Sequence, residues 1–181
     1  MGGQEAANPI DAIDFAVDKK SGLTLEAMAH ELDLGLSSRE WFVTGKVLPE
    51  LFSDRFAFQD PDVKLKGIEN YARGVHRLFD QKTARAEVVL CVVNTTVANT
   101  ITVTWRLSGS VKVGPGFDIK PYVVYTDLKV DPSNGLVIFQ EDRFSLPGWD
   151  LLLSAFFPFL RPMLAPAAAP VEELRKEMCP V

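Results

Sequence analysis

The chain has 181 residues, 47% hydrophobic and 24% charged, the balance of an ordinary globular protein long enough to bury one core. Its net charge of −5 excludes a surface that attracts nucleic acid or anionic membrane through its average field, and no Lys/Arg cluster supplies a local one. The two cysteines, Cys91 in an apolar run and Cys179 near the C-terminus, form no disulfide scaffold and favour a reducing compartment.

Residues 1–22 are polar and broken by Pro9 and Gly22, which predicts a flexible arm. From Thr24, a good N-cap, Leu25, Met28 and Leu32 recur at helical spacing, and Gly35 reads as the helix end. Ser37-Ser38-Arg39-Glu40 has the form of a capping box and predicts a second, short helix through Trp41 and Phe42 to Gly45. A helical turn over 48–52 and a strand from Arg55 to Asp60 follow, stopped by Pro61. Residues 68–79 predict an amphipathic helix, with Ile68, Tyr71, Ala72, Val75, Leu78 and Phe79 on one stripe.

After residue 79 the periodicity turns to β and stays there. Strands are expected over 84–95, 100–113, 121–130 and 136–145, with Asp131-Pro132-Ser133-Asn134-Gly135 the clearest hairpin turn. Four long strands in meander order must curl, and the helix of residues 68–79 is the natural cover for the concave face. The apolar run from Trp149 to Leu164 is expected to close the open end of the cup or to make a dimer contact, ahead of membrane contact. The Pro/Ala-rich residues 162–181 read as a tail, so the expected division is arm 1–22, domain 23–161 and tail 162–181.

This order of elements resembles the nuclear transport factor 2-like superfamily, which includes ketosteroid isomerase and the SnoaL-type polyketide cyclases. The resemblance rests on Phe56-Ala57-Phe58-Gln59-Asp60-Pro61, Gly67-Ile68-Glu69-Asn70-Tyr71, Trp105 and Gly135-Leu136-Val137-Ile138. More narrowly, Phe58-x-Asp60-Pro61, Gly67-x-x-x-Tyr71, Trp105, Gly135-Leu136, Asp142-x-Phe144 and Trp149-Asp150 together look like a branch found in plants, algae and cyanobacteria. The resemblance implies a cone-shaped α+β fold, with N-terminal helices packed on a strongly curved antiparallel sheet. From it too comes the expectation of a plastid as an alternative to the cytoplasm, and of a histidine where this chain has Gln140.

Within such a cup the acid/base candidates are Asp60, at the end of a strand whose Phe56 and Phe58 share its face, and Asp142. The alternative for Asp60 is the organiser of an Asp-Pro turn, and for Asp142 a structural, ion-paired or hydrogen-bonded carboxylate. Alternation puts Gln140, Asp142 and Phe144 on one face of the last strand, Gln140 being suited to orient a polar group. Phe56, Phe58, Tyr71, Trp105 and Phe144 are the expected apolar walls. Tyr122 and Tyr125, the remaining candidates, point opposite ways, so at most one of them is expected to enter the pocket.

His30 and His76 are far apart, with no Cys or carboxylate at ligand spacing, so no metal is expected; no Gly-rich phosphate loop precedes a helix, so no cofactor is expected either. The functional expectation is a pocket that binds a lipophilic small molecule, or performs cofactor-free isomerase, cyclase or dehydratase chemistry on it. A non-catalytic interaction or dimerisation module is the alternative, with a homodimer as partner.

Overall fold

The single switch from helical to β periodicity governs the architecture. In the computed structural model, which describes residues 7–146 and 164–178, the helices before that switch share one apolar core with one sheet. Helices α1 (Leu25–Arg39), α2 (Trp41–Thr44) and α3 (Ile68–Leu78) precede or interleave with strands β1 (Phe52–Gln59) and β2 (Lys64–Lys66). The meander follows as β3 (Arg85–Val93), β4 (Thr100–Val111), β5 (Phe117–Val130) and β6 (Val137–Phe144), and α4 (Val171–Met178) ends the described chain.

The six strands form one sheet in the order β2-β1-β6-β5-β4-β3. All neighbours are antiparallel except β1 and β6, which run parallel, so the sheet is mixed. β1 enters from the helical layer and docks on the free side of the last meander strand, and the long connection through β2 and α3 makes a parallel pairing feasible. Register shifts in the β3–β4 and β4–β5 pairs bend the long strands around the core. At one of them Gly109 has φ +104°, and a Cβ there would lie 2.3 Å from the Thr83 carbonyl oxygen.

Helix α1 differs from expectation. It runs through Gly35 to Arg39, and Ser38 Oγ donates back to the Leu34 carbonyl at 2.7 Å instead of starting a new helix. Gly35 serves close packing: a Cβ there would sit 2.5 Å from Cζ3 of the Trp41 indole. The turn into α2 falls on Glu40, left-handed at φ 47°, whose carboxylate accepts from Arg85 Nε at 2.9 Å and from the Ala86 amide at 3.1 Å. A capping box satisfies only local amides, and here a pairing 45 residues away wins.

The core is one apolar cluster between the helices and the concave face, built around Trp41, Phe52, Phe56, Met28 and Leu32. Phe52 meets Trp41 edge-on at 6.2 Å and Phe56 at 5.1 Å. Residues 7–22 lie against this body: Ile10 is fully buried, and the Lys20 and Gly22 amides donate to Glu50 and Asn134 carbonyls. At the other end, Val171 is buried and Arg175 donates to the Val88 carbonyl at 2.6 Å, which docks α4 on β3. Of the expected apolar closure from Trp149 to Leu164, residues 149–163 lie outside the described residues.

Gly45, at φ +72°, is the tightest helix junction, since a Cβ there would stand 2.3 Å from the Ala72 carbonyl oxygen. Gly45→Ala is expected to cost at least about 2 kcal/mol, combining left-handed strain with a clash against α3. Urea denaturation measures it, and a loss within error would mean that α2 and α3 do not approach so closely.

Candidate functional site

Between α3 and the concave face of β4, β5 and β6 the apolar layers do not meet, and a cavity of about 350 Å³ remains. The amphipathic pattern of α3 supplies one wall through Tyr71, Gly74, Val75 and Leu78. The sheet supplies the other, from Trp105 and Leu107 on β4, Ile119 and Tyr122 on β5, and Asp142 and Phe144 on β6. Phe42, Phe58 and Phe79 add to the lining. Val63 and Leu78 line the cavity yet are 43% and 41% exposed, which marks its mouth on the β2–α3 side.

A hydrogen-bonded chain of polar groups crosses the back of this apolar space. The Trp105 indole Nε1 donates to Thr126 Oγ1 at 2.9 Å, and Thr126 donates to Asp142 Oδ1 at 2.7 Å. Gln140 Nε2 donates to the same Oδ1 at 3.2 Å and to the Tyr71 hydroxyl at 3.1 Å. Among the described residues, Asp142 Oδ2 accepts nothing and Gln140 Oε1 has no partner. Asp142 is half-buried and borders the cavity, so its second oxygen is the one left for an occupant.

Electrostatics follow from that enclosure. Burial raises the Asp142 carboxyl to about 7, against the lowering hydrogen bonds from Thr126 and Gln140, and the charge of Asp60 adds to the rise. Burial also pushes the Tyr71 and Tyr122 phenols well above their ordinary value, reinforced in both by Asp142. Both phenols therefore stay protonated and act only as neutral hydrogen-bonding groups, and the Tyr122 hydroxyl makes no hydrogen bond to another described residue.

Most of the residues singled out from sequence converge here. Asp60, Phe58, Tyr71, Trp105, Tyr122, Asp142 and Phe144 all line the cavity. Asp60 Oδ1 also accepts from the Asp62 and Val63 amides at 2.8 and 2.6 Å, so it holds its Asp-Pro turn while its charge reaches the cavity groups. Gln140 is fully buried behind the wall and reaches the site through its bonds to Tyr71 and Asp142.

Two of the expected lining residues lie elsewhere. Phe56 is buried in the core, edge-on to Tyr71 at 6.0 Å, and does not line the cavity. Tyr125 faces the opposite side of the sheet under the guanidinium of Arg143, 5.9 Å from its ring centre, as strand alternation with Tyr122 requires. Thr126 was missed by sequence reasoning. It lies two positions from Val124 on the inward face of β5 and pairs directly with Asp142, so strand register would have found it.

Other chemistry-bearing residues are accounted for structurally. His76 Nδ1 bonds the Thr44 carbonyl at 2.9 Å and ties α3 to α2. Cys91, a free thiol pushed up to about 12 mainly by burial, donates to the Ala29 carbonyl under α1. Among the described residues no group of His, Cys, Asp and Glu could hold a metal ion, and no helix is long and apolar enough to cross a membrane.

The profile of the family described as "Uncharacterized conserved protein (DUF2358)" matches residues 38–138, more than half of the chain. No functionally curated protein matches the chain in sequence. A protein assigned as a SnoaL-like polyketide cyclase from Jannaschia sp. CCS1 has a similar structure, with TM-score 0.52, 18% identity, 74% of this chain and 94% of that one covered. A hypothetical protein with a ketosteroid isomerase-like fold from Catenulispora acidiphila DSM 44928 gives TM-score 0.50 and 14% identity over 69% and 91%. A protein of unknown function with a cystatin-like fold from Methylobium petroleophilum PM1 gives 0.51 and 11% over 67% and 78%. At these identities the likeness is one of fold.

Proposed function

The chain belongs to the family described as Uncharacterized conserved protein (DUF2358) and has the nuclear transport factor 2-like fold; on that frame we propose that it is a small-molecule pocket protein. Its cavity takes a lipophilic ligand, and Asp142 serves as the acid/base group toward it. The carrying observation is the pairing of an apolar, aromatic-walled cavity with one carboxyl raised to about 7 and one unengaged oxygen. A carboxyl of that affinity exchanges its proton near neutral pH, which suits proton transfer next to a carbonyl without a cofactor. Thr126 and Gln140 fix its Oδ1, and the Tyr122 hydroxyl is the donor available to a polar group of the ligand. The roles of Asp142 and Asp60 in this scheme differ: Asp142 moves the proton, while the charge of Asp60 keeps it bound to a higher pH.

Gly74 supplies the test. It sits inside α3 on the cavity wall, and a Cβ there would make only an ordinary contact, 3.6 Å from Leu65 Cδ1. Gly74→Ala is expected to stabilise the fold by about 0.5–1 kcal/mol through helix propensity. Gly74→Leu is expected to project its side chain into the cavity without lowering the melting temperature. Saturable binding of neutral 2-naphthylmethanol, followed by fluorescence, should weaken at least tenfold in the leucine variant. Absence of saturable binding to the parent protein, by this alcohol and by its amine and carboxylate counterparts alike, would refute the pocket reading. An assembly module, by contrast, would reveal itself in sedimentation and be indifferent to Gly74→Leu.

A further inference from the structure

We propose that the ligand of this cavity is a lipophilic amine, held as its ammonium ion between Asp142 and the aromatic walls. The inference rests on the pocket reading and narrows it to one charge class.

It follows from what lines the cavity and from what does not. The walls carry the rings of Phe58, Trp105, Tyr122 and Phe144, whose faces are the negative parts of their quadrupoles. They carry two carboxyl groups, Asp60 and Asp142, and among the described residues no Lys, Arg or His lines the space. An anion placed here would leave water for two acidic groups with no counter-charge, which a low-dielectric site penalises heavily. A neutral molecule would meet hydrogen-bonding groups but leave the electrostatic character of the walls unused. An ammonium group meets the unengaged Asp142 Oδ2 with these rings around it, and Asp60 on the same lining contributes attraction of the same sign. At about 350 Å³ the cavity holds a molecule of one or two rings with a short amine arm.

The occupant also explains an otherwise costly arrangement. Empty, the cavity keeps Asp142 protonated up to about pH 7, because burial and Asp60 both oppose its charge. The groups facing it are Asp60 at the end of β1, Tyr71 from α3, Tyr122 and Thr126 from β5 and Gln140 on its own strand, none of them cationic. A bound ammonium ion would supply the missing positive charge and draw the proton off. Amine affinity is then expected to rise with pH, since below about 7 binding must first remove that proton, and to level off above it.

Three probes sharing one naphthalene body test this by calorimetric or fluorescence titration of the full chain: 2-naphthylmethylamine, 2-naphthylmethanol and 2-naphthoate. At pH 8 the amine is expected to bind at least tenfold more tightly than the alcohol, and the carboxylate not measurably. The amine's affinity should fall about tenfold between pH 8 and pH 6, while the alcohol's stays level. In Asp142→Asn, with folding checked by its melting temperature, the amine should lose its advantage over the alcohol. Alcohol binding as tight as amine binding at pH 8, or an amine preference that survives in Asp142→Asn or ignores pH, overturns this inference and leaves the pocket standing. Failure of all three probes overturns the pocket reading and this inference with it. Should the asparagine variant not fold, the pH series on the parent protein decides alone.

Discussion

Asp142→Asn is expected to make the protein more stable at pH 8 by about 2–3 kcal/mol, a rise of roughly 5–10 °C in melting temperature for a domain of this size. The native carboxyl binds its proton up to about pH 7, against 3.8 for an unperturbed aspartate. Unfolding therefore releases a proton between those values, and stability falls as pH rises from about 4 to about 7, then levels off. The full shift corresponds to about 4 kcal/mol, reduced here because Asp142 is half-buried and the cavity admits solvent. Asparagine can keep both bonds to its side-chain oxygen, from Thr126 and Gln140, while the buried charge disappears. Melting temperatures of the two proteins from pH 4 to pH 8 should converge at the acid end and diverge above it. Parallel curves, or a less stable variant at pH 8, would show that Asp142 is not held neutral in the native state.

Trp41→Ala is expected to be the most damaging single core truncation, costing about 4–5 kcal/mol, with Trp105→Ala nearer about 3 kcal/mol. Both indoles are almost completely buried, but their surroundings differ. Trp41 is enclosed on every side: Phe42 and Phe52 meet it edge-on at 6.2 Å each, and the Cα of Gly35 lies under it. Truncation there opens a void that rigid helix and strand backbones cannot collapse. Trp105 packs on Phe42 at 4.8 Å and borders the cavity, so it has fewer contacts to lose. Its loss also removes the indole donor to Thr126. Urea denaturation of both variants reads the difference. Equal costs would mean that Trp105 is packed on both faces and that no open space adjoins it.

Periodicity was informative wherever one face of an element decides its neighbours. The stripe on residues 68–79 became α3 over Ile68–Leu78, and the four β runs after it became the meander β3 to β6 in that order. The same alternation set Asp142 and Phe144 on the cavity side and made Tyr122 and Tyr125 mutually exclusive. The failures share a cause. The capping box at Ser37–Glu40 is a local signal, and it lost to Trp41 packing over Gly35 and to Glu40 pairing with Arg85. The parallel seating of β1 on β6 and the role of Thr126 likewise depend on partners distant in the chain.

The sequence alone determined the element order, the α+β class, the acidic and cysteine-poor character, and which side chains share a face. Those properties follow from side-chain periods of 3.6 and 2 residues and need no knowledge of partners. Only the tertiary structure decided that the apolar layers of α3 and the sheet stand apart over Trp105, that the space is about 350 Å³, and that one carboxyl there is held near neutrality. Cavity volume and proton affinity are differences between large packing and solvation terms summed over residues from β1, α3, β4, β5 and β6. Strand register and helix placement must exist before either quantity has a value.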